Sequence, residues 1–145
     1  MDATPSAQFS VPATAAAPGL AAADESGSGQ GAILNQDGSL NSAANPAARG
    51  SIVSLFGTGE GAISPLISSG YLSISTPFSL FTQPVTVTIG GQPAEITYAG
   101  EAPFEPVGGF QINARVPAAI APGNAPVMVS IGGIATTKQI TITVR

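Results

Sequence analysis

Val85-Thr86-Val87-Thr88-Ile89-Gly90-Gly91 is an alternating stretch that ends in a glycine pair, and Val127-Met128-Val129-Ser130-Ile131-Gly132-Gly133 repeats it later in the chain. A period of two places Val85, Val87 and Ile89 on one face of a strand and Thr86 and Thr88 on the other. The glycine pair suits a tight hairpin turn, because glycine reaches positive φ without steric cost. After the first pair, Ala94, Ile96 and Tyr98 alternate with Glu95 and Thr97. After the second, Ile140, Ile142 and Val144 alternate with Thr141, Thr143 and Arg145. The chain is thus expected to be built from antiparallel ribbons.

Other segments extend the pattern. Phe110, Ile112, Ala114 and Val116 alternate with Gln111, Asn113 and Arg115 up to Pro117, and Pro122-Gly123-Asn124 marks a turn. Ser51-Ile52-Val53-Ser54-Leu55-Phe56 is apolar enough for a central strand, closed by Gly57-Thr58-Gly59-Glu60-Gly61. Gly31–Asn35 and Ser39–Asn41 flank Asp37-Gly38, a hairpin signal. Between 62 and 84 prolines keep strands short, and one is expected where Leu72 and Ile74 alternate with Tyr71, Ser73 and Ser75. Ala13 to Ala23 is alanine-rich, but Pro18-Gly19 cuts it into pieces too short to nucleate a helix. Gln8-Phe9-Ser10-Val11 reads as a strand stopped by Pro12. About nine short strands at this spacing fit an all-β fold, an immunoglobulin-like two-sheet antiparallel sandwich. Residues 29–145 form the sandwich domain, and residues 1–28 are an amino-terminal extension carrying the edge strand.

Composition bounds the chemistry. The 145 residues include no Cys and no His, which removes disulfides, thiolate metal sites, cysteine nucleophiles and imidazole bases together. Charged residues are only 8%, the net charge is −4, and the four cations Arg49, Arg115, Lys138 and Arg145 are scattered along the sequence. Nucleic acid is not an expected partner, since phosphate binding needs clustered cations. No apolar run approaches the about 20 residues of a membrane-spanning helix. Met1-Asp2-Ala3-Thr4-Pro5 lacks the basic start and apolar run of an export signal. A surface of Ser, Thr, Gln, Asn and Gly in place of Lys and Glu leads us to expect a mature or excised piece of a secreted or cell-surface protein.

Gly50-Ser51-Ile52-Val53-Ser54-Leu55-Phe56-Gly57-Thr58-Gly59, the run Val87 to Ala94, Gln111-Ile112-Asn113-Ala114-Arg115-Val116-Pro117, Pro122-Gly123 and the final glycine-pair ribbon occur in that order. Together with the segment from Gly29 to Ala47, this pattern resembles an uncharacterised carboxy-terminal domain family of secreted acidobacterial (Solibacter-type) proteins. It is also similar to IPT/TIG-type immunoglobulin-like modules. The resemblance covers about residues 29 to 145. It implies a bacterial exported protein and an immunoglobulin-like sandwich, and it supplies no catalytic residue or cofactor.

Candidate sites are weighed against plainer roles. Gly57-x-Gly59-x-Gly61 lacks the third glycine spacing and the following helix of a dinucleotide loop, and reads as a turn. Asn35, Asp37, Ser39 and Asn41 have too few carboxylates for a calcium loop, and Asp24 and Glu25 add no better one. Glu95, Glu101 and Glu105 are the acids that a glycosidase-like pair would use, but they read as solvated surface groups. Lys138, the only lysine, reads as solvated near a turn and not as a buried cross-linking residue. Tyr71, Phe78, Phe81 and Phe104 are the candidate ligand or interaction contacts, with Tyr98 considered beside them, since aromatic faces stack on sugars. Gln8, Phe9, Ser10 and Val11 are candidates for pairing with a neighbour's sheet edge. No cofactor is expected. The function expected is that of a non-catalytic structural or adhesive module. Its partners would be other domains of the parent protein or neighbouring copies through sheet edges. A carbohydrate-binding module and a subunit that self-assembles by strand exchange are the alternatives.

Overall fold

A computed structural model describes residues 8–74 and 76–145. Two six-stranded sheets are present, and no helix occurs among the described residues. In the first sheet the order is β1 (Gly19–Leu20), β3 (Ile52–Thr58), β9 (Gly109–Arg115), β8 (Ile96–Glu101), β5 (Leu80–Phe81) and β4 (Ile63–Ser64). In the second it is β2 (Gly29–Gln30), β12 (Ile140–Val144), β10 (Gly123–Ile131), β6 (Val85–Ile89) and β7 (Gln92–Pro93), with β11 (Ile134–Ala135) also on β10. All pairings are antiparallel except β12 with β2 and the bridge of Ala47 to Val144. The all-β two-sheet architecture is the one the periodicity predicts.

The core follows the alternation. Phe110, Ile112, Ala114 and Val116 are fully buried, as are Ile89, Val129, Ile131, Ile140 and Ile142. Both glycine pairs turn as expected, with φ of 60° and 76° at Gly90 and Gly91 and 59° and 82° at Gly132 and Gly133. The first ribbon does not stay a hairpin. Only Gln92 and Pro93 return beside β6; the chain then crosses to the other sheet, where β8 pairs β9 with a register shift between Ile96 and Tyr98. Ala94 N–H makes the last bond of this ribbon, to Val87 O at 2.9 Å.

The amino-terminal segment joins this core. Ala16, Leu20 and Ala22 are buried in the same cluster, and Gly19 and Leu20 pair with Thr58 and Gly57. The close crossing explains the three spaced glycines of the β3 turn. A Cβ at Gly57 would run into the Gly19 carbonyl and the Phe110 ring, and Cβ atoms at Gly59 and Gly61 would meet the Ala17 and Ala15 carbonyls. Gly59 and Gly61 also hold φ of 87° and 79°, where a side chain is strained. These glycines therefore serve a backbone contact.

Three local expectations change. Gln8–Val11 is not a strand: it has no ladder partner, and Phe9 and Val11 are 89% and 81% exposed. Its alternation is real, but no face of the fold receives it. Ser39–Asn41 returns antiparallel beside Ile33–Asn35 as expected, through Asn35 N–H to Ser39 O and Asn41 N–H to Ile33 O, both at 2.8 Å, but Gly31–Asn35 is no continuous strand and the pairing is the single bridge Leu34 to Leu40. The expected strand at Tyr71–Ser75 reduces to one bridge, Leu72 to Pro106, with Ser75 outside the described residues. Its faces are inverted, since Ser73 is buried while Leu72 and Ile74 are exposed. Backbone pairing with the 104–107 loop sets this orientation, through Ser73 N–H to Glu105 O at 2.9 Å and Val107 N–H to Tyr71 O at 3.0 Å.

Candidate functional site

The loops at one end of the first sheet carry the unusual chemistry. There is no charged residue between Glu60 and Glu95. Within that interval Leu66, Tyr71, Leu72 and Ile74 stand 50% to 86% exposed, and Phe104 on the facing loop is 70% exposed. An open depression of about 600 Å³ runs along Leu66, Ile67, Tyr71, Leu72 and Ile74. Contiguous exposed apolar surface of this kind marks contact sites. It forms here because prolines deny the segment long strands and because Ser73 takes the inward position.

The candidate aromatics divide. Tyr71 and Phe104 belong to the exposed face. Phe78 is half-buried and meets Phe104 edge to face, with centroids 6.4 Å apart. Phe104 itself holds φ of 68°, uncommon for a residue with a side chain. Phe81 is a core residue: it is half-buried, packs on the cluster and meets Phe110 edge to face at 5.6 Å. Tyr98 is half-buried, and its hydroxyl donates to the Glu101 carbonyl at 2.6 Å.

Under these loops lies a pair of acids. Glu101 reads from the sequence as a solvated loop residue, but it ends β8 and is 0% exposed. Glu60, after β3, is 6% exposed. The strands bearing them flank Phe110, which pairs with Gly57 on one side and Glu101 on the other. The two carboxyl groups lie within hydrogen-bonding reach of each other. Glu101 Oε2 accepts from Gly108 N–H at 3.1 Å. Glu101 Oε1, Glu60 Oε2 and the hydroxyl of buried Ser73 have no partner. Burial, foremost, and the neighbouring Glu60 carboxyl push the Glu101 carboxyl up to about 7, against the single opposing pull of the Gly108 N–H. Neither carboxyl presents itself to a substrate in this conformation. The period-two count missed the pair because the register shift in β8 breaks it and because Glu60 meets Glu101 only through β9.

The other acids behave differently. Glu95 is exposed and bonds Arg115 Nε at 2.8 Å, and Glu105 is exposed. Asp37 Oδ1 accepts from Ser39 N–H at 3.0 Å and from the Ser39 hydroxyl, and Asp24 does the same with Ser26. The serine hydroxyl, then its N–H, hold both carboxyls below the usual aspartate range. Among the described residues no three acidic side chains converge on a point that would hold a metal ion. Lys138 is exposed. The arginines, though scattered in sequence, gather at the opposite end of the first sheet. There Arg115 donates to the Gly50 carbonyl at 3.0 Å, and Arg49 pairs with Arg145 through the backbone.

No family model, curated protein or solved structure matches the chain.

Proposed function

We propose that this chain is a non-catalytic, immunoglobulin-like module of an exported or cell-surface bacterial protein, as its resemblance to the acidobacterial carboxy-terminal family implies. Its contact surface is the apolar loop face of Leu66, Tyr71, Leu72, Ile74 and Phe104. One observation carries this reading: loops with Glu105 as their one exposed charge among the described residues present large apolar side chains at the end of a two-sheet support. The partners are neighbouring copies or other domains of the same protein. The contact is read on the loops because both sheets end in two-residue strands, two of them beside Pro18 or Pro65 and a third containing Pro93, and short, proline-marked edges resist strand addition. The reading predicts concentration-dependent association in light scattering that Leu72→Ser with Ile74→Ser weakens. Hydrolysis of glycans or esters that is lost in Glu60→Gln or Glu101→Gln would overturn it.

A second reading, binding to polysaccharide, is favoured by the exposure of Tyr71 and Phe104 on adjoining loops. It predicts retention on polysaccharide matrices that weakens on Tyr71→Ala and Phe104→Ala; no retention on a broad panel would remove it.

A further inference from the structure

The buried acids are joined to every segment that builds the loop end. Glu60 sits between Gly59 and Gly61, over which Ala15 to Ala17 crosses, with Ala17 N–H bonded to Gly59 O at 2.8 Å. Glu101 holds the 101–109 loop by its side chain at Gly108. Its backbone N–H donates to Ser79 O at 2.9 Å, and the Ser79 hydroxyl reaches back to the Pro65 carbonyl. The 101–109 loop is thus tied to the pair by the Glu101 carboxyl itself, and the crossing segment, Ser79 and Pro65 are tied by backbone bonds to the residues that carry the pair or flank it.

Among the described residues no cationic side chain approaches that pair. The other titratable groups around it are Tyr98, whose hydroxyl bonds the Glu101 carbonyl, and Glu105, which is exposed on the covering loop. Ser79, Gly108 and the crossing alanines are neutral. Arg49, Arg115 and Arg145 lie at the far end of the sheet, and Lys138 is exposed on the second sheet's connection between β11 and β12. Two buried carboxylates without a cation repel strongly, whereas a single proton between them satisfies both unpartnered oxygens.

We propose that Glu60 and Glu101 share one proton and form an acid-closed latch: with the proton held, the crossing segment and the loops are fastened to the sheet, and its loss loosens them. The charge on the pair then goes from −1 to −2, and the proton passes to solvent. The latch would set the order of the apolar face only if that face is the contact surface proposed above. The latch itself is read without any partner.

The sign of the pH dependence follows. The folded-state value lies above the ordinary glutamate value of 4.5, so the native state keeps a proton that the unfolded state has released. Stability is fully present below that ordinary value, falls as pH rises toward about 7, and is level beyond it. Asp24 and Asp37 shift downward from 3.8 and act below this window.

Carboxyl-carbon NMR of the wild-type protein tests the proposal directly. One glutamate pair is expected to titrate as a coupled unit near neutrality, with amide exchange, corrected for its intrinsic pH dependence, rising selectively at 101–109 and 15–17 between about pH 5 and about pH 8.5. Urea midpoints should fall over the same range in the wild type, fall less in Glu60→Gln, which removes the neighbouring acid but leaves Glu101 buried, and be flattest in Glu101→Gln. If every carboxyl titrates below about pH 5, or if loop exchange rises no more than core exchange, the latch does not exist.

Discussion

Single residues in this fold act mostly through backbone contacts that the sequence does not advertise. Asn41 is an example. It is fully buried, its Nδ2 donates to Thr143 O at 2.9 Å, and its Oδ1 accepts from Thr143 N–H at 2.8 Å. One side-chain amide thus stands in for a strand neighbour beside β12, between the β2 pairing at Ile140 and Thr141 and the Ala47 bridge at Val144. The two residues are 102 positions apart, so local pattern reading sees only a polar residue after a turn. Asn41→Ala leaves the buried Thr143 N–H unpaired, while Thr143 O keeps its bond from Ala47 N–H at 2.9 Å, and should lower unfolding free energy by about 1 to 3 kcal/mol. Chemical denaturation reads this; a loss within error would mean that water replaces the amide without cost. Glu101 was hidden in the same way, by a partner on another strand. The glycines at 57, 59 and 61 were legible as a turn, but their reason, the carbonyls of a crossing segment, was not.

At the level of elements, the legible parts are those whose signal is local. Alternation marked β3, β6, β9, β10 and β12, and the glycine pairs marked both turns, because side-chain period and φ are properties of neighbouring residues. Six of the twelve strands among the described residues are only two residues long, and no period can be counted in so short a stretch. They exist where a longer strand offers an edge, as β1 does on β3. Alternation also misled at Gln8–Val11 and at Tyr71–Ile74, where the partner needed to bury the apolar face is missing or turns that face outward. The amino-terminal segment gives a direct comparison. Leu20→Ala removes a side chain that is 8% exposed in the core and should cost about 2 to 3 kcal/mol. Phe9→Ala removes a larger one that is 89% exposed and should change stability by less than about 0.5 kcal/mol. Equal losses would mean that Phe9 is buried against a neighbouring copy, which is the strand-exchange arrangement. Repeating the measurement at lower protein concentration would then shift the Phe9 effect and leave the Leu20 effect unchanged.

Across the whole molecule, charge and apolar exposure are separated. Three arginines occupy one end of the first sheet, while the loops at the other end expose aliphatic and aromatic side chains above a buried acid pair. The one ion pair among the described residues, Arg115 with Glu95, is exposed on both sides, and such pairs contribute only about 0 to 1 kcal/mol. With few charges on the loops there is little for salt to screen, and added salt strengthens the burial of apolar surface. Association through the loop face should therefore persist or tighten when sodium chloride is raised. It should weaken in Leu72→Ser with Ile74→Ser, whose side chains are exposed and whose loss should leave the thermal midpoint nearly unchanged. Association through the arginine end would behave oppositely, dissolving in salt and ignoring the loop substitutions. Sedimentation at low and high salt, on the wild type and the double variant, separates the two. A wild-type complex that salt dissolves would move the contact surface to the opposite end of the sheet and leave the exposed loops without a role in assembly.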